Sequence, residues 1–304
     1  MIKMTKKEDD SYPAKDDKRS LIEYAKSVYR TLRKEIVYNL ILYPFVKNKH
    51  NRLNQDVERS QEHTYTAFYR SPGQISALMG KVMDYILNNP DRPAGEILQI
   101  NVLSGSMGAE AYTLASLIMK KYPQLNFHIH CSDLHEHMIL KAKMAEYSIS
   151  EVGVGDISEG FIQDTFDLKN GCYHVKGHIK NKVTFCQANI VADKLTEKHP
   201  IGDLLFIQNV LFHLDENDSN TAFHNALTLV KDRCVIFMDG MSLDQRVELT
   251  RDANLKPLDY RLKEIHDHAR IHVPDDWWNY YYGAEPYLFF KKDRVRRYST
   301  IFMR

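Results

Sequence analysis

Between residues 97 and 239, short apolar runs alternate with longer stretches in which apolar residues recur every three or four positions. The runs at 97–103, 127–132, 183–186, 204–208 and 235–239 are too short for helices and rich in β-branched and large apolar residues. They predict strands buried on both faces. Segments 110–122, 135–146, 217–230 and 243–253 carry helical spacing. That alternation predicts a mostly parallel, doubly wound sheet with right-handed crossovers. Two last apolar segments, 287–290 and 298–303, are expected to close the sheet as an antiparallel pair.

Upstream the pattern changes. Residues 1–19 are charged and contain Pro13, which predicts a disordered tail. Leu21, Ala25, Val28, Leu32, Ile36 and Leu40 mark a helix that Pro44 ends. Residues 47–60 are polar and read as a loop or a solvated helix face. A second helix is expected over 73–89, and 90–95 (PDRPAG) is a boundary. The expected division is a tail at 1–19, an N-terminal helical segment at 20–92 and an α/β domain at 93–304. Residues 153–177 break the alternation as a lid or decoration. The cluster 277–282, WWNYYY, reads as a packed cap or as one wall of a substrate pocket.

Composition narrows the function classes. Lys and Arg number 41 against 40 Asp and Glu, so nothing demands a polyanion, and nucleic acid is not an expected partner. Cys131, Cys172, Cys186 and Cys234 are scattered and read as reduced thiols. No apolar stretch approaches the roughly 18–20 residues needed to cross a bilayer, and the first residues lack the apolar core of a secretory signal. The expected location is the cytoplasm. His128, His130, His135 and His137 form one group, and His266, His268 and His272 another. No cysteine or carboxylate pattern completes a metal site around them, so none is expected.

The chemistry concentrates at 97–110, ILQINVLSGSMGAE, and at 128–133, HIHCSD. A strand, a turn holding Gly105, Ser106 and Gly108, and a helix precede a second strand that ends in Asp133. That order builds a nucleoside site, with the turn and helix N-terminus approaching the ligand and the acid accepting from ribose hydroxyls. Two glycines are too few for a dinucleotide fingerprint, so the turn suits a nucleoside without phosphates. S-adenosylmethionine (SAM) is the commonest such cofactor. The same order also occurs in α/β proteins that bind no nucleoside.

Five segments, in order, resemble the CheR-type chemotaxis receptor methyltransferases, which are SAM-dependent protein-glutamate O-methyltransferases. Residues 65–71, YTAFYRS, resemble TAFFRE; 106–113, SMGAEAYT, resemble STGEEPYS; Ser132 and Asp133 resemble the SDID strand end. Asn189 and Ile190 sit at the family's Asn-Leu, and 203–215, DLLFIQNVLFHLD, resemble FDAIFCRNVMIYFD. The likeness covers about 60–240. It implies a class I SAM-dependent methyltransferase, a seven-stranded α/β fold behind an N-terminal helical segment. It also implies that Glu110 faces the cofactor amino group, Asp133 the ribose and Asn189 the adenine edge. On the same grounds Arg70 meets the cofactor carboxylate or an acidic acceptor. Asn189 also reads as a turn cap, and Glu110 as a first-turn acid matched to the helix dipole.

The departures fall on the acceptor side. Gln208 and Asn209 stand where the family has Arg-Asn beside the methyl-transfer centre, and His213 where it has Tyr. Gln208 and Asn209 are therefore expected at the cofactor, and Gln208, His213 and Arg70 are the catalytic candidates. Ala109 replaces an acid and Ala111 a proline. The expected activity is methyl transfer to a carboxylate of a protein or small molecule. The alternatives are a hydroxyl or nitrogen acceptor, for which His213 is the candidate base, and a SAM-binding protein without catalysis.

Overall fold

The computed structural model describes residues 66–153, 157–271 and 287–304. The expected tail, the helix at 21–46, the loop at 47–60 and the cluster at 277–282 lie outside the described residues. The first described helix, α1, runs as Pro72–Ala77, a π turn at Leu78–Val82, and Met83–Leu87. Proline opens it, at the position where its missing N–H and fixed φ cost nothing. Leu78, Val82, Met83 and Ile86 are buried in the core beside Val235 and Phe237.

The main sheet joins β1 (Leu98–Leu103), β2 (Phe127–Asp133), β6 (Val183–Gln187), β7 (Gly202–Gln208), β8 (Val230–Asp239), β9 (Lys256–Pro257) and β10 (Ile301–Met303). Their spatial order is β6-β2-β1-β7-β8-β10-β9. β6, β2, β1, β7 and β8 are parallel, and β10 runs antiparallel to both its neighbours. This is the expected seven-stranded, doubly wound sheet. Helix α2 (Ala109–Lys121) connects β1 to β2, and α3 (Glu136–Met144) follows β2.

Side-chain alternation splits each strand between two cores. Ile100, Val102, Ile129, Leu204, Phe206, Val235 and Phe237 lie on the face that α1 and α2 cover. There Phe206 and Phe237 stack at 4.3 Å. Leu103, Leu205, Ile207, Ile236 and Met238 face the other side. On that second face only a 3₁₀ turn at Leu195–Glu197 is described between β6 and β7. There β1 and β2 carry polar groups instead: His130 Nε2 lies 2.9 Å from Gln99 Oε1, and the His128 and His130 rings are 4.7 Å apart. Desolvation first, then the neighbouring His128, push the His130 pKa down to about 4. Among the described residues, no cluster of three or more His, Cys, Asp or Glu could hold a metal ion.

The expected insert at 153–177 is the larger part of a subdomain that begins earlier. β3 (Glu146–Ser148), β4 (Phe166–Lys169) and β5 (Cys172–Val175) form an antiparallel sheet of order β3-β5-β4, with α4 (Ile149–Val152), α5 (Glu159–Thr165) and α6 (Gly177–Lys180) around it. Its hairpin turns on Asn170 and Gly171, at φ 50° and 77°, the left-handed pair that a two-residue hairpin needs.

Helix α7 (Glu216–Leu227) lies between β7 and β8 in sequence, and α8 (Leu243–Asp252), α9 (Leu262–Ile271) and α10 (Arg294–Tyr298) follow β8. The expected antiparallel pair of 287–290 with 298–303 does not form. Residues 287–290 are irregular, with Phe289 and Phe290 exposed, and the chain after them coils into α10, which leaves no hairpin connection. β10 pairs instead with β8 and β9. No described helix is long and apolar enough to cross a membrane.

Candidate functional site

Strand order reverses at β1, whose neighbours are β2 on one side and β7 on the other. Open α/β sheets bind ligands at that switch point, beyond the carboxyl ends of the strands. Loop 104–108 fills it, with Ser104, Ser106 and Gly108 at φ 57°, 50° and 85°. A left-handed backbone in two serines is strained, and Asp133 holds it. Asp133 Oδ2 accepts from the Ser106 N–H at 2.7 Å and Oδ1 from the His135 N–H at 2.9 Å. Each carboxylate oxygen keeps a second acceptor site.

The two glycines serve packing. A Cβ on Gly105 would sit 2.2 Å from Cys131 Sγ, and one on Gly108 would sit 2.9 Å from the Phe185 ring. Gly105 has an ordinary φ, so the contact alone bars a side chain. Gly105→Ala is expected to destabilise the protein by about 1–3 kcal/mol through overpacking. Cys131→Ala in the same chain should recover most of that loss in urea melts. Equal melts for Gly105→Ala and the parent would show that the loop yields freely.

Glu110 lies in the first turn of α2. Its Oε1 accepts a 2.7 Å hydrogen bond from Gln208 Nε2 on β7. Part of the residue reaches solvent, yet the carboxyl is enclosed, and desolvation pushes its pKa from 4.5 up to about 7 against the opposing effects of Arg70 and Gln208. Gln208 Oε1 is buried and has no hydrogen-bond partner among the described residues. A neutral polar atom in that state costs roughly 1–3 kcal/mol until a donor reaches it.

Arg70 acts on this carboxyl through its charge, from outside the sheet. Phe68, 1% exposed, is wedged edge-on against Tyr147 at 5.0 Å and Phe166 at 5.1 Å. Tyr69 then takes φ 56°, rare for a bulky side chain, and its N–H donates to Thr113 Oγ1 at 3.1 Å. The strained turn places the Arg70 charge close enough to lower the Glu110 pKa. Ala109 and Ala111 are fully buried, so the acid and proline that the family carries there would meet core.

The remaining candidates divide. Asn209 has φ 54° and donates its N–H to Asp239 O at 2.9 Å. A Cβ on Gly240 would come within 2.6 Å of Asn209 Cα, so the loops after β7 and β8 lie back to back. His213 ends a 3₁₀ turn, Leu211–His213, beyond the same strand end, with its ring 3.9 Å from that of Phe212. Asn189 is a turn cap, its Oδ1 accepting from the N–H groups of Val191 at 2.9 Å and Ala192 at 3.2 Å. Only its amide nitrogen is left to reach a base edge. The structure thus brings together Glu110, Gln208 and Arg70, with Ser106 and Asp133 across the loop. Asn189 follows the end of β6, next to Ala188, whose N–H donates to Asp133 O at 2.9 Å.

One acid at this edge of the sheet was not singled out from the sequence. Asp239 ends β8 directly beside Gln208 in register. Its Oδ1 accepts from Arg246 Nη2 at 2.9 Å and from the Gly240 N–H at 2.8 Å. Arg246 on α8 is 1% exposed. The only signal in the sequence was an acid closing an apolar run.

A family model described as CheR methyltransferase, SAM binding domain, matches residues 64–243, more than half of the chain. The chemotaxis protein methyltransferase 2 of Vibrio cholerae is 25% identical over 177 residues, 57% of this chain and 60% of that protein. A 104.1 kDa uncharacterized protein of Rhodobacter capsulatus is 24% identical over 181 residues, 58% of this chain and 18% of that protein. The chain therefore spans less than two thirds of the length of either relative. Among solved structures, the magnesium protoporphyrin IX methyltransferase of Synechocystis with bound SAM aligns with 82% of this chain and 90% of its own, at 15% identity and a TM-score of 0.34.

Proposed function

Because this chain belongs to the CheR methyltransferase family, we propose that it moves a methyl group from SAM to an acceptor held at the carboxyl ends of β7 and β8. The observation that carries this reading is the pair of carboxylates flanking loop 104–108: Asp133 anchored by two N–H groups and Glu110 enclosed beside Gln208. In it, Asp133 takes the ribose hydroxyls and Glu110 the amino group. Arg70 takes the cofactor carboxylate, and loop 104–108 lies against the nucleoside through Ser106.

SAM supplies a methyl group already activated by its sulfonium. The work left to the chain is alignment and exclusion of water. Gln208 and Asn209 fix the sulfur end from below. Family membership supports a carboxylate acceptor, which is nucleophilic without a base. Gln208 and His213 favour a second reading, an acceptor that carries its own N–H or O–H and loses a proton in the reaction.

The test is transfer of labelled methyl from SAM, with the product then held in mild base. A carboxyl ester releases methanol, whereas an ether or N-methyl product does not. His213→Ala should lower turnover only slightly for a carboxylate acceptor. For a hydroxyl or neutral amine that relies on it as base, the loss should be about 10²–10⁴-fold. Absence of SAM or S-adenosylhomocysteine (SAH) binding in calorimetry would remove the whole reading.

A further inference from the structure

Gln208 closes β7 with an amide that is only half used. Its Nε2 donates to Glu110 Oε1 at 2.7 Å, while Oε1 is buried and meets no donor among the described residues. A buried amide oxygen ordinarily finds a backbone N–H, a side chain or a water. The strand itself gives no reason for a polar residue here. Leu204 and Phe206, which share this face by alternation, pack into the apolar core. A leucine or methionine would continue that pattern and leave no oxygen unpaired.

The unpaired oxygen lies close to the enclosed carboxyl of Glu110. Oε1 and Nε2 share one carbon, so Oε1 is no more than about 5 Å from Glu110 Oε1, and one nitrogen donating to both at about 2.9 Å bridges such a gap. The group that answers both is a cation with more than one N–H. Glu110 favours a charged donor over a neutral one, because a carboxylate taken out of water needs an opposite charge. Its pKa of about 7, raised by desolvation against Arg70 and Gln208, agrees: these two neighbours do not compensate the anion fully. An arginine at position 208, where the family resemblance puts one, offers donors only. It would answer Glu110 itself and could accept nothing from a ligand. Gln208 leaves the charge of Glu110 to the ligand and adds a second acceptor beside it.

We propose that Gln208 Oε1 and Glu110 together seat the α-ammonium of the cofactor, and that Gln208 thereby makes the site selective for adenosyl ligands that carry an amino group. The proposal rests on the methyltransferase reading and deepens its cofactor site. An ammonium has three N–H donors. Glu110 takes one and Gln208 Oε1 another, so the ligand supplies the donor that the buried oxygen lacks in the free protein. A nucleoside without the amino group leaves both acceptors unanswered.

Calorimetry at pH 8 with SAH and its deamino analogue, in which hydrogen replaces the α-amino group, tests this without turnover. The parent should prefer SAH. Gln208→Met fills similar space without an amide oxygen. It should lower SAH affinity about 10- to 100-fold, the range of a hydrogen bond to a charged partner, and leave the analogue within about twofold. Gln208→Glu separates the two ends of the amide, since an ionised carboxylate accepts but cannot donate. It should keep the parent's preference for SAH. A residue that served only to orient Glu110 through Nε2 would lose that preference in both variants. Should two adjacent acids keep Gln208→Glu from folding, the split between SAH and the analogue in Gln208→Met decides alone. A parent that holds the two ligands equally, a Gln208→Met protein that keeps the preference, or a folded Gln208→Glu protein that loses it as fully as Gln208→Met, overturns the proposal. A parent that binds neither ligand removes the methyltransferase reading itself, and the proposal with it.

Discussion

Asp133→Ala should lower SAH affinity about 10- to 100-fold and also weaken the fold. The two effects share one cause. Both carboxylate oxygens already accept a backbone N–H, one from Ser106 and one from His135, and each keeps a second acceptor site for a ribose hydroxyl. Removing the carboxylate deletes hydrogen bonds to a charged group, about 1.5–3 kcal/mol on the ligand side, and frees a loop whose Ser104 and Ser106 are held at positive φ. It also leaves N–H groups unpaired beside a residue only 6% exposed. The melting temperature should fall by roughly 4 °C or more. Asp133→Asn should bind nearly as poorly, because its NH₂ must face one of the two N–H donors. Methylthioadenosine and SAH both carry the ribose, so both should lose affinity in proportion. Calorimetry showing SAH affinity unchanged in folded Asp133→Ala would take this residue out of the site.

The strands of the parallel sheet were legible because both faces are buried and the apolar runs are nearly continuous. The subdomain was not, since β4 reads FDLK and β5 reads CYHV, too short and mixed to show a period. Residues 287–290 looked like a strand on apolarity alone, and nothing local told that α10 would intervene. In the site, Glu110 and Asp133 were legible as carboxylates placed against a turn and at a strand end. The reason for Gly105 was not. Its lost Cβ makes room for Cys131, a contact set by the pairing of β1 with β2 rather than by a ligand. Asp239 and Arg246 were missed for a similar reason. Only sheet register puts Asp239 beside Gln208, and only the docking of α8 puts Arg246 behind it.

SAH affinity should rise with pH up to about 7 and then level off, and Glu110 should be the cause. Desolvation, opposed by Arg70 and Gln208, lifts this carboxyl from 4.5 to about 7, so the ligand-free protein is largely protonated there below neutrality. An α-ammonium needs the anion. Each binding event at low pH must therefore release a proton, and affinity at pH 5.5 should be roughly 30-fold below that at pH 8. The sign for folding runs the other way from a salt-bridged acid. A carboxyl whose folded pKa is raised favours the folded state when protonated, and this contribution is lost as pH climbs from 4.5 through 7. The free protein should accordingly lose stability over that window while the SAH complex should not. Glu110→Gln removes the titration, so its SAH affinity should be low and flat across the range. Methylthioadenosine has no amino group and should bind parent and variant alike at every pH. A parent profile as flat as that of Glu110→Gln, measured by calorimetry between pH 5.5 and 8, would mean that the ammonium is held elsewhere.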